Sequence, residues 1–393
     1  MIKVPGFLFS ALSGGIKKKP GPDLALIYSK KEAVMAGVFT KNLIKAAPVI
    51  DCITKAGSAK GQAIIVNSGN ANACTGTQGI NDVHTTASLL ARQCGIDESL
   101  VYVASTGVIG EPLPMDKITA AIPGLVDSLT EESIYEAASA IMTTDTFAKL
   151  YSKNVKLTNS VGTIAGLAKG AGMIEPNMAT MLCFLMTDMA VEPSALQTAL
   201  RSAVDQSFNR ITVDGDMSTN DTVLVMANGF LDNPPICLDS VEYGLFYESL
   251  AEVTYQLARM IAKDGEGATR LIEVTVKGAK NDTEAHLAAR AIANSNLVKT
   301  AIYGHDANWG RIMAAIGYSG AEADESRINI FINAIQIVKS GLATGKDAEA
   351  GVSLRAQKEV TIVADLNIGT GQATILTCDF TEDYVRINAL YRS

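Results

Sequence analysis

The stretch 169–182, which reads KGAGMIEPNMATML, limits the fold of this chain more than any other part of the sequence. Residues 160–168 before it predict a strand. Residues 181–186 after it are short, continuous and apolar, as buried strands are. The glycines between them permit tight backbone geometry, and the Pro-Asn pair predicts a turn. The stretch therefore predicts a turn that enters a core strand at Thr180.

Thr180 also has a chemical interpretation. If the bond between Ala179 and Thr180 were cut, Thr180 would carry a free α-amino group beside its own hydroxyl. That amine could serve as the base for the hydroxyl, which would give an activated nucleophile without a Ser-His-Asp triad. Strain in the preceding turn could promote attack of the hydroxyl on the Ala179 carbonyl. On the local pattern alone, a plain β-forming threonine remains the alternative.

The rest of the chain alternates short apolar runs with helical patterns, which predicts an α/β fold. A boundary near residue 280 divides it into residues 1–280, an α/β region that carries the site, and residues 281–393, a smaller C-terminal α/β domain. Asp82 is expected to cap a helix, and the tail from residue 359 alternates as a strand does. The predicted strands are 25–29, 33–40, 62–67, 160–168, 181–186, 223–227 and 269–276, with a strand-to-loop junction at 101–110 and further strands from residue 327 onward. The predicted helices are 82–93, 116–130 with an interruption at Pro123-Gly124, 131–142, 193–208, 241–262 and 284–293, and a glycine-bounded stretch without a helix is expected around Trp309.

Composition excludes several classes of partner. Of the 393 residues, 48% are apolar and 19% are charged, which supports sizeable buried cores. The net charge of −8 argues against duplex nucleic acid, since such a partner requires a basic face. No apolar run approaches the roughly 18 residues that cross a bilayer. The apolar segment 6–12 is followed rather than preceded by lysines, the wrong order for a secretory signal.

Cysteine and carboxylate spacing predicts no metal site. The six cysteines, at positions 52, 74, 94, 183, 237 and 378, form no C-x-x-C pair, so neither a zinc site nor a disulfide framework is expected. Reduced thiols in the cytoplasm are the natural interpretation. The acidic loop 214–221 faintly resembles a calcium loop but lacks the spacing and the terminal Glu of an EF-hand. No metal and no cofactor are expected.

Ordered motifs across nearly the whole chain resemble one enzyme family. Besides KGAGMIEPNMATML, they are VNSGNANACTG at 66–76, STGVIG at 105–110, MTTD at 142–145, KDGEGATR at 263–270, NWGR at 308–311 and the closing segment 388–393. Together they resemble the ornithine acetyltransferase family, the glutamate N-acetyltransferases of arginine biosynthesis. The family resemblance implies an α-β-β-α catalytic region of the N-terminal-nucleophile type.

The resemblance also implies a reaction. Self-cleavage between Ala179 and Thr180 would give an α chain, 1–179, and a β chain, 180–393, and the family pairs two of each into a heterotetramer. Thr180 would take an acetyl group from N-acetylornithine and pass it to glutamate in a ping-pong cycle. Family members are monofunctional or bifunctional. The bifunctional members also take acetyl from acetyl-CoA, and the sequence leaves this choice open.

Residues of the first half match the family's catalytic positions. The resemblance makes Thr106 and Gly107 the oxyanion-hole pair, and the chemistry suits a hydroxyl and a backbone N–H. It makes Lys169 a substrate contact, together with Thr143 or its neighbour Thr144, of which Thr143 fits better. Without the resemblance, the first pair would be a strand-end turn, Lys169 a solvated surface residue and Thr143 the end of a helix.

Three further substrate contacts are implied in the second half. Glu266 lies between two glycines, where a carboxylate could meet the ammonium group of an amino acid. Asn388 and Ser393 imply that the tail folds back over the site. The bare pattern would instead make Glu266 part of a polar loop and the tail an ordinary terminus.

Two rival functions share parts of this pattern. A related N-terminal-nucleophile aminopeptidase or amidase would use Thr180 and the same oxyanion hole but pass the acyl group to water. A non-enzymatic amino-acid-binding protein would have no reason to be cut at Ala179-Thr180. Turnover that depends on glutamate would distinguish an acetyltransferase from the aminopeptidase or amidase. The intact mass would distinguish a self-cleaving enzyme from an uncut binding protein.

Overall fold

The computed structural model describes residues 2–175 and 181–390, which form two compact units. The first unit comprises the residues up to Asn209 together with Asp216–Ile261. The second comprises Arg210–Gly215 and the described residues from Ala262 onward.

The strands of the first unit join in one mixed sheet. Within the described residues the order is β4-β3-β2-β8-β7-β6-β5, with β1 paired to β2. The pairs β3–β4 and β7–β8 are parallel, and the other pairs are antiparallel. The strands are β1 (Phe7–Leu12), β2 (Leu24–Phe39), β3 (Lys60–Asn70), β4 (Val101–Val108), β5 (Lys149–Lys156), β6 (Val161–Lys169), β7 (Leu182–Thr187) and β8 (Thr222–Ala227).

The long strand β2 belongs to both halves of this sheet. Its first part, 24–28, pairs with β1 and β3, whereas 34–39 pairs with β8, and the register shifts between Tyr28 and Ala33. Apolar residues of the two halves share one buried cluster: Phe7, Phe9, Ile27, Ile64 and Tyr102 from one half, and Leu167, Phe184, Met186 and Leu224 from the other. Burial of this cluster stabilises a two-layer sheet core.

Helices cover the outer face of each half. On the β3–β4 side, α2 and α3 bury apolar residues against the sheet. On the other side, α5 lies against β2, and α6 contacts Gly166 of β6 through Val253 and Leu257. The predicted α-β-β-α arrangement is therefore confirmed. The helices are α1 (Ala47–Ala56), α2 (Gly76–Cys94), α3 (Met115–Asp127), α4 (Ile134–Ala140), α5 (Pro193–Gln206) and α6 (Val241–Lys263).

The second unit has its own sheet and core. Its described strands follow the order β12-β11-β10-β13-β9-β14. They are β9 (Leu271–Ala279), β10 (Asn329–Ile332), β11 (Ile335–Lys339), β12 (Leu342–Ala343), β13 (Glu359–Asp365) and β14 (Gly371–Cys378). The helices are α7 (Asp282–Asn294), α8 (Asn296–Tyr303), α9 (Trp309–Tyr318), α10 (Asp347–Ala356) and α11 (Glu382–Leu390). Since β9 is an inner strand of this sheet, the unit begins before the predicted boundary near residue 280.

Several local predictions were wrong. Helix α2 begins at Gly76, and Asp82 is a buried residue inside it that accepts a hydrogen bond from Gln78 Nε2 at 2.7 Å. Helix α3 continues through Pro123, because burial of its apolar face outweighs the lost backbone hydrogen bond. The β-like tail ends in α11, and the stretch that begins at Trp309 is the helix α9. Within the described residues, no helix combines the length and apolar character needed to cross a membrane.

Candidate active site

Thr106 and Gly107 lie at the end of β4, beside the parallel strand β3. Thr106 is buried, with 6% of its surface exposed. Gly107 has φ +136°, and a Cβ there would collide with the backbone of Gly69 and Asn70. Only glycine combines this conformation with so close a backbone approach. The local geometry therefore requires glycine at 107 and sets a polar threonine beside it.

Lys169, at the end of β6, reaches Thr106 across the sheet core. Its Nζ donates to Thr106 Oγ1 at 3.4 Å, although the two residues are 63 positions apart. Lys169 is 3% exposed, so it is not the solvated residue that its local sequence suggests. Because the ammonium group donates to Oγ1, the hydroxyl proton of Thr106 is free to point elsewhere. Two predicted site residues are thus in contact.

Asp145 contacts several residues around Lys169 and Thr143. The sequence analysis did not single it out as a site residue. Its carboxylate accepts from Lys149 Nζ at 2.7 Å, from the backbone N–H of Thr143 at 3.0 Å and from that of Gly170 at 2.8 Å. Lys169 Nζ lies 4.0 Å away. The signal available in the sequence was its place in MTTD, immediately after the threonine pair.

Charge balance keeps Asp145 ionised. Burial of this carboxyl is the largest influence and favours the neutral form, but the ammonium groups of Lys169 and Lys149 and the Thr143 amide outweigh it. They hold the pKa of Asp145 well below its usual range. A buried carboxylate between two ammonium groups is a rigid anchor for the loop that carries Thr143.

Thr143 borders a cavity of about 290 Å³. Lys17 and Lys19 line the same cavity, as do the rings of Tyr135 and Phe147. Burial lowers the pKa of Lys17, and the charge of nearby Lys169 acts in the same direction, while Asp23 and Asp145 oppose it. A half-open cavity with amines at its rim suits an anionic group of a small molecule.

Met181, the residue that follows Thr180, makes hydrogen bonds through both its backbone N–H and its carbonyl. The N–H of Met181 donates to Asp221 Oδ1 at 3.1 Å, and its carbonyl accepts from Thr222 N at 3.1 Å. Burial raises the pKa of Asp221 well above its usual value, although the Met181 amide, the Ser218 hydroxyl and Lys169 act against the rise. Burial therefore favours the neutral form of this carboxyl.

Asn220 extends the same loop toward β4. Its Nδ2 donates to Ala71 O at 2.7 Å and to Ser105 O at 2.8 Å, next to Thr106. The sequence analysis predicted only an acidic, polar loop at residues 214–221. The signal available was an Asn-Asp pair placed directly before the continuous apolar strand β8.

The second unit brings Glu266 and Asn388 together. Asn388 Nδ2 donates to Glu266 Oε2 at 2.7 Å, and Glu266 is buried. Gly267 has φ +70°, and a Cβ on it would collide with the backbone at the start of α11. The glycine beside Glu266 is thus needed for the close approach of α11, the helix that carries Asn388.

One family model, described as the ArgJ family, matches residues 8–393 of the sequence. The chain belongs to the ArgJ family. The arginine biosynthesis bifunctional protein ArgJ of Geobacter sulfurreducens is 52% identical over 393 residues, with 100% of each chain covered. That of Syntrophotalea carbinolica is 51% identical over 394 residues, again with 100% of each covered.

A solved structure agrees with this assignment to the ArgJ family. The crystal structure of the arginine biosynthesis bifunctional protein ArgJ from Bacillus halodurans shares 49% sequence identity and a TM-score of 0.52. It covers 53% of this chain and 98% of the other. The family resemblance that the ordered motifs predicted is confirmed.

Three of the predicted ArgJ-family positions are not placed by the structure. Ala179, Thr180 and Ser393 lie outside the described residues. Among residues 2–175 and 181–390, no three His, Cys, Asp or Glu side chains are grouped so that they could hold a metal ion.

Proposed function

We propose that this ArgJ-family chain cuts itself between Ala179 and Thr180 and then transfers acetyl groups from N-acetylornithine to glutamate through an acetyl-Thr180 intermediate. The contact of Lys169 Nζ with Thr106 Oγ1, at 3.4 Å, is the observation that carries the proposal. It joins the predicted oxyanion-hole strand to the strand that leads into the cleavage segment. Its ArgJ relatives are named as proteins of arginine biosynthesis.

Cleavage needs only groups of the chain and one water molecule. The Thr180 hydroxyl attacks the Ala179 carbonyl carbon, the C–N bond to Thr180 breaks, and the Thr180 nitrogen takes up a proton as a free amine. Water then hydrolyses the resulting ester, which leaves a carboxylate on Ala179 and the hydroxyl on Thr180. The new amine is the base for the later steps.

Acetyl transfer repeats the same chemistry on a substrate. The Thr180 amine accepts the hydroxyl proton while the oxygen attacks the acetyl carbonyl of N-acetylornithine. The Thr106 hydroxyl and the Gly107 N–H donate to the oxyanion, and ornithine leaves with the proton. The α-amine of glutamate then attacks the acetyl ester, which regenerates Thr180 and forms N-acetylglutamate.

The charges of the proposed contact residues suit amino-acid substrates. In the first unit, Lys169 and Thr143 would meet a substrate carboxylate. In the second unit, the family resemblance makes Glu266 and Asn388 contacts for an ammonium group. The word bifunctional in the names of its relatives supports a second acetyl donor, for which we propose acetyl-CoA. The α and β chains would remain associated in the cytoplasm, with two of each in the mature enzyme.

Intact mass under denaturing conditions tests the proposal. Purified wild-type protein should give two fragments that meet at Ala179-Thr180. Incubation with N-acetylornithine should add one acetyl group to the fragment that begins at Thr180, and glutamate should remove it as N-acetylglutamate.

Each rival predicts a different result from the same experiment. Loss of the acetyl group at equal rates with and without glutamate would indicate a hydrolase. A single uncut chain that takes up no acetyl group would contradict the proposal and favour a binding protein.

Replacing Thr106 by alanine is expected to lower kcat for acetyl transfer about 100- to 1000-fold, the usual cost of losing one oxyanion donor. The Thr106→Ser control keeps the hydroxyl and should retain most of the rate. Steady-state kinetics with N-acetylornithine and glutamate measure both variants. Equal kcat values in Thr106→Ala and the wild type would show that the Thr106 hydroxyl is not an oxyanion donor.

A further inference from the structure

The dipeptide Asn220-Asp221 touches two separate strands of the site. Asp221 is fully buried, and its Oδ1 accepts from the Met181 N–H at 3.1 Å. The next residue, Thr222, donates its N–H to the Met181 carbonyl at 3.1 Å. Both backbone polar groups of Met181 are thus bound to the start of β8. Met181 is the residue that directly follows the proposed nucleophile.

The other contact of the dipeptide is with the oxyanion strand. Asn220 Nδ2 donates both its hydrogens to backbone carbonyls, those of Ala71 at 2.7 Å and Ser105 at 2.8 Å. Ser105 also donates through Oγ to Asn67 Oδ1 at 2.5 Å. Because Ser105 directly precedes Thr106, the carboxamide of Asn220 bonds to the backbone one residue from the proposed oxyanion donor.

We propose that Asn220 and Asp221 are positioning residues that set the spacing between the nucleophile strand and the oxyanion strand. This inference rests on the proposed function and names two residues that act through Met181 and Ser105. One pair of consecutive residues holds both strand ends, so neither end shifts without the other. A displacement of about 1 Å in such a constellation costs a rate on the order of 100-fold.

Burial favours the neutral form of Asp221. A neutral carboxyl accepts the Met181 N–H without adding a negative charge one residue from the proposed nucleophile. The charge of Lys169 of β6 acts on Asp221, and the hydroxyl groups of Ser218 and Thr40 also contact its carboxyl. Asparagine at 221 would reproduce the neutral acceptor at every pH.

The chain offers a matched control for Asn220. Asn228 lies just after the other end of β8, is equally buried, and also donates from Nδ2 to a backbone carbonyl, that of Pro5 at 3.1 Å. Its removal costs similar packing and also breaks hydrogen bonds to the backbone, those with Pro5 and Phe230, but leaves Met181 and Ser105 untouched.

The test compares wild type, Asn220→Ala, Asn228→Ala and Asp221→Asn for self-cleavage by intact mass and for transfer kinetics. Asn220→Ala should lower kcat about 10- to 100-fold with KM unchanged, while Asn228→Ala keeps the wild-type kcat. Asp221→Asn keeps an acceptor for the Met181 N–H, so it should cleave and lose less of kcat than Asn220→Ala.

The test distinguishes failure of the proposed function from failure of the positioning role. If the wild type neither cleaves nor transfers acetyl groups, the proposed function is wrong, and the positioning role falls with it. If the wild type is active but Asn220→Ala and Asn228→Ala have equal kcat, the positioning role alone is overturned.

Discussion

The Thr180→Ala variant is expected to remain a single uncut chain and to show no acetyl transfer. Alanine removes the hydroxyl that attacks the Ala179 carbonyl, and without cleavage no free α-amine forms to act as the base. Both steps therefore fail through one substitution. Intact mass measures the cleavage, and appearance of N-acetylglutamate measures the transfer.

Thr180→Ser is the matched control, because it keeps a hydroxyl on the same carbon. It should cleave and transfer acetyl groups at a reduced rate, since the chemistry needs the oxygen and not the methyl group. A Thr180→Ala protein that is cut at residue 179 or transfers acetyl at the wild-type rate would eliminate Thr180 as the nucleophile.

Replacing Lys149 by methionine is expected to lower the free energy of unfolding of the first unit by about 3–5 kcal/mol. Lys149 has no exposed surface, and its Nζ donates to Asp145 Oδ1 at 2.7 Å. Methionine fills the volume but removes an ammonium group that donates directly to the Asp145 carboxylate, while Lys169 Nζ lies farther away, at 4.0 Å. The anchor of Thr143 and Gly170 is weakened at the same time.

The same strand carries the control for this prediction. Lys153 of β5 also pairs with an acid, Glu252, but their side chains are 40% and 37% exposed. Lys153→Met should change stability far less, since solvent screens an exposed ion pair. Urea unfolding in a Thr180→Ala background, where the chain stays uncut, compares the two. Equal losses in the two variants would show that burial of the Asp145 pair is not what stabilises the unit.

Local pattern predicted the larger elements of the fold well. Strand β7 was predicted from six continuous apolar residues, and helices α5 and α6 from apolar residues that recur at helical spacing. Such patterns are reliable because they come from the burial of one face or of a whole strand. Element ends were less predictable, as α2 shows, because they depend on capping contacts and tertiary packing.

The site was only partly predictable, for a related reason. Lys169 beside a glycine looks like a solvated lysine, and residues 214–221 look like a solvated polar loop. In the fold, Lys169 lies between Thr106 and Asp145, and Asn220 and Asp221 are buried between strand ends. These partners are distant in sequence, so no window around either residue contains the group that makes its burial favourable.

By itself, the sequence determined the family and the α/β class, and it singled out Thr106, Gly107, Lys169 and Thr180 as candidate site residues. The order of motifs along a chain can be compared with that of a family without knowing which residues lie close together in space. The tertiary structure alone decided that Asp145 lies between two buried lysines and that Asn220-Asp221 joins two strands. Buried charge and buried amide groups are stable only where the fold supplies a partner, and that pairing is a property of three-dimensional packing.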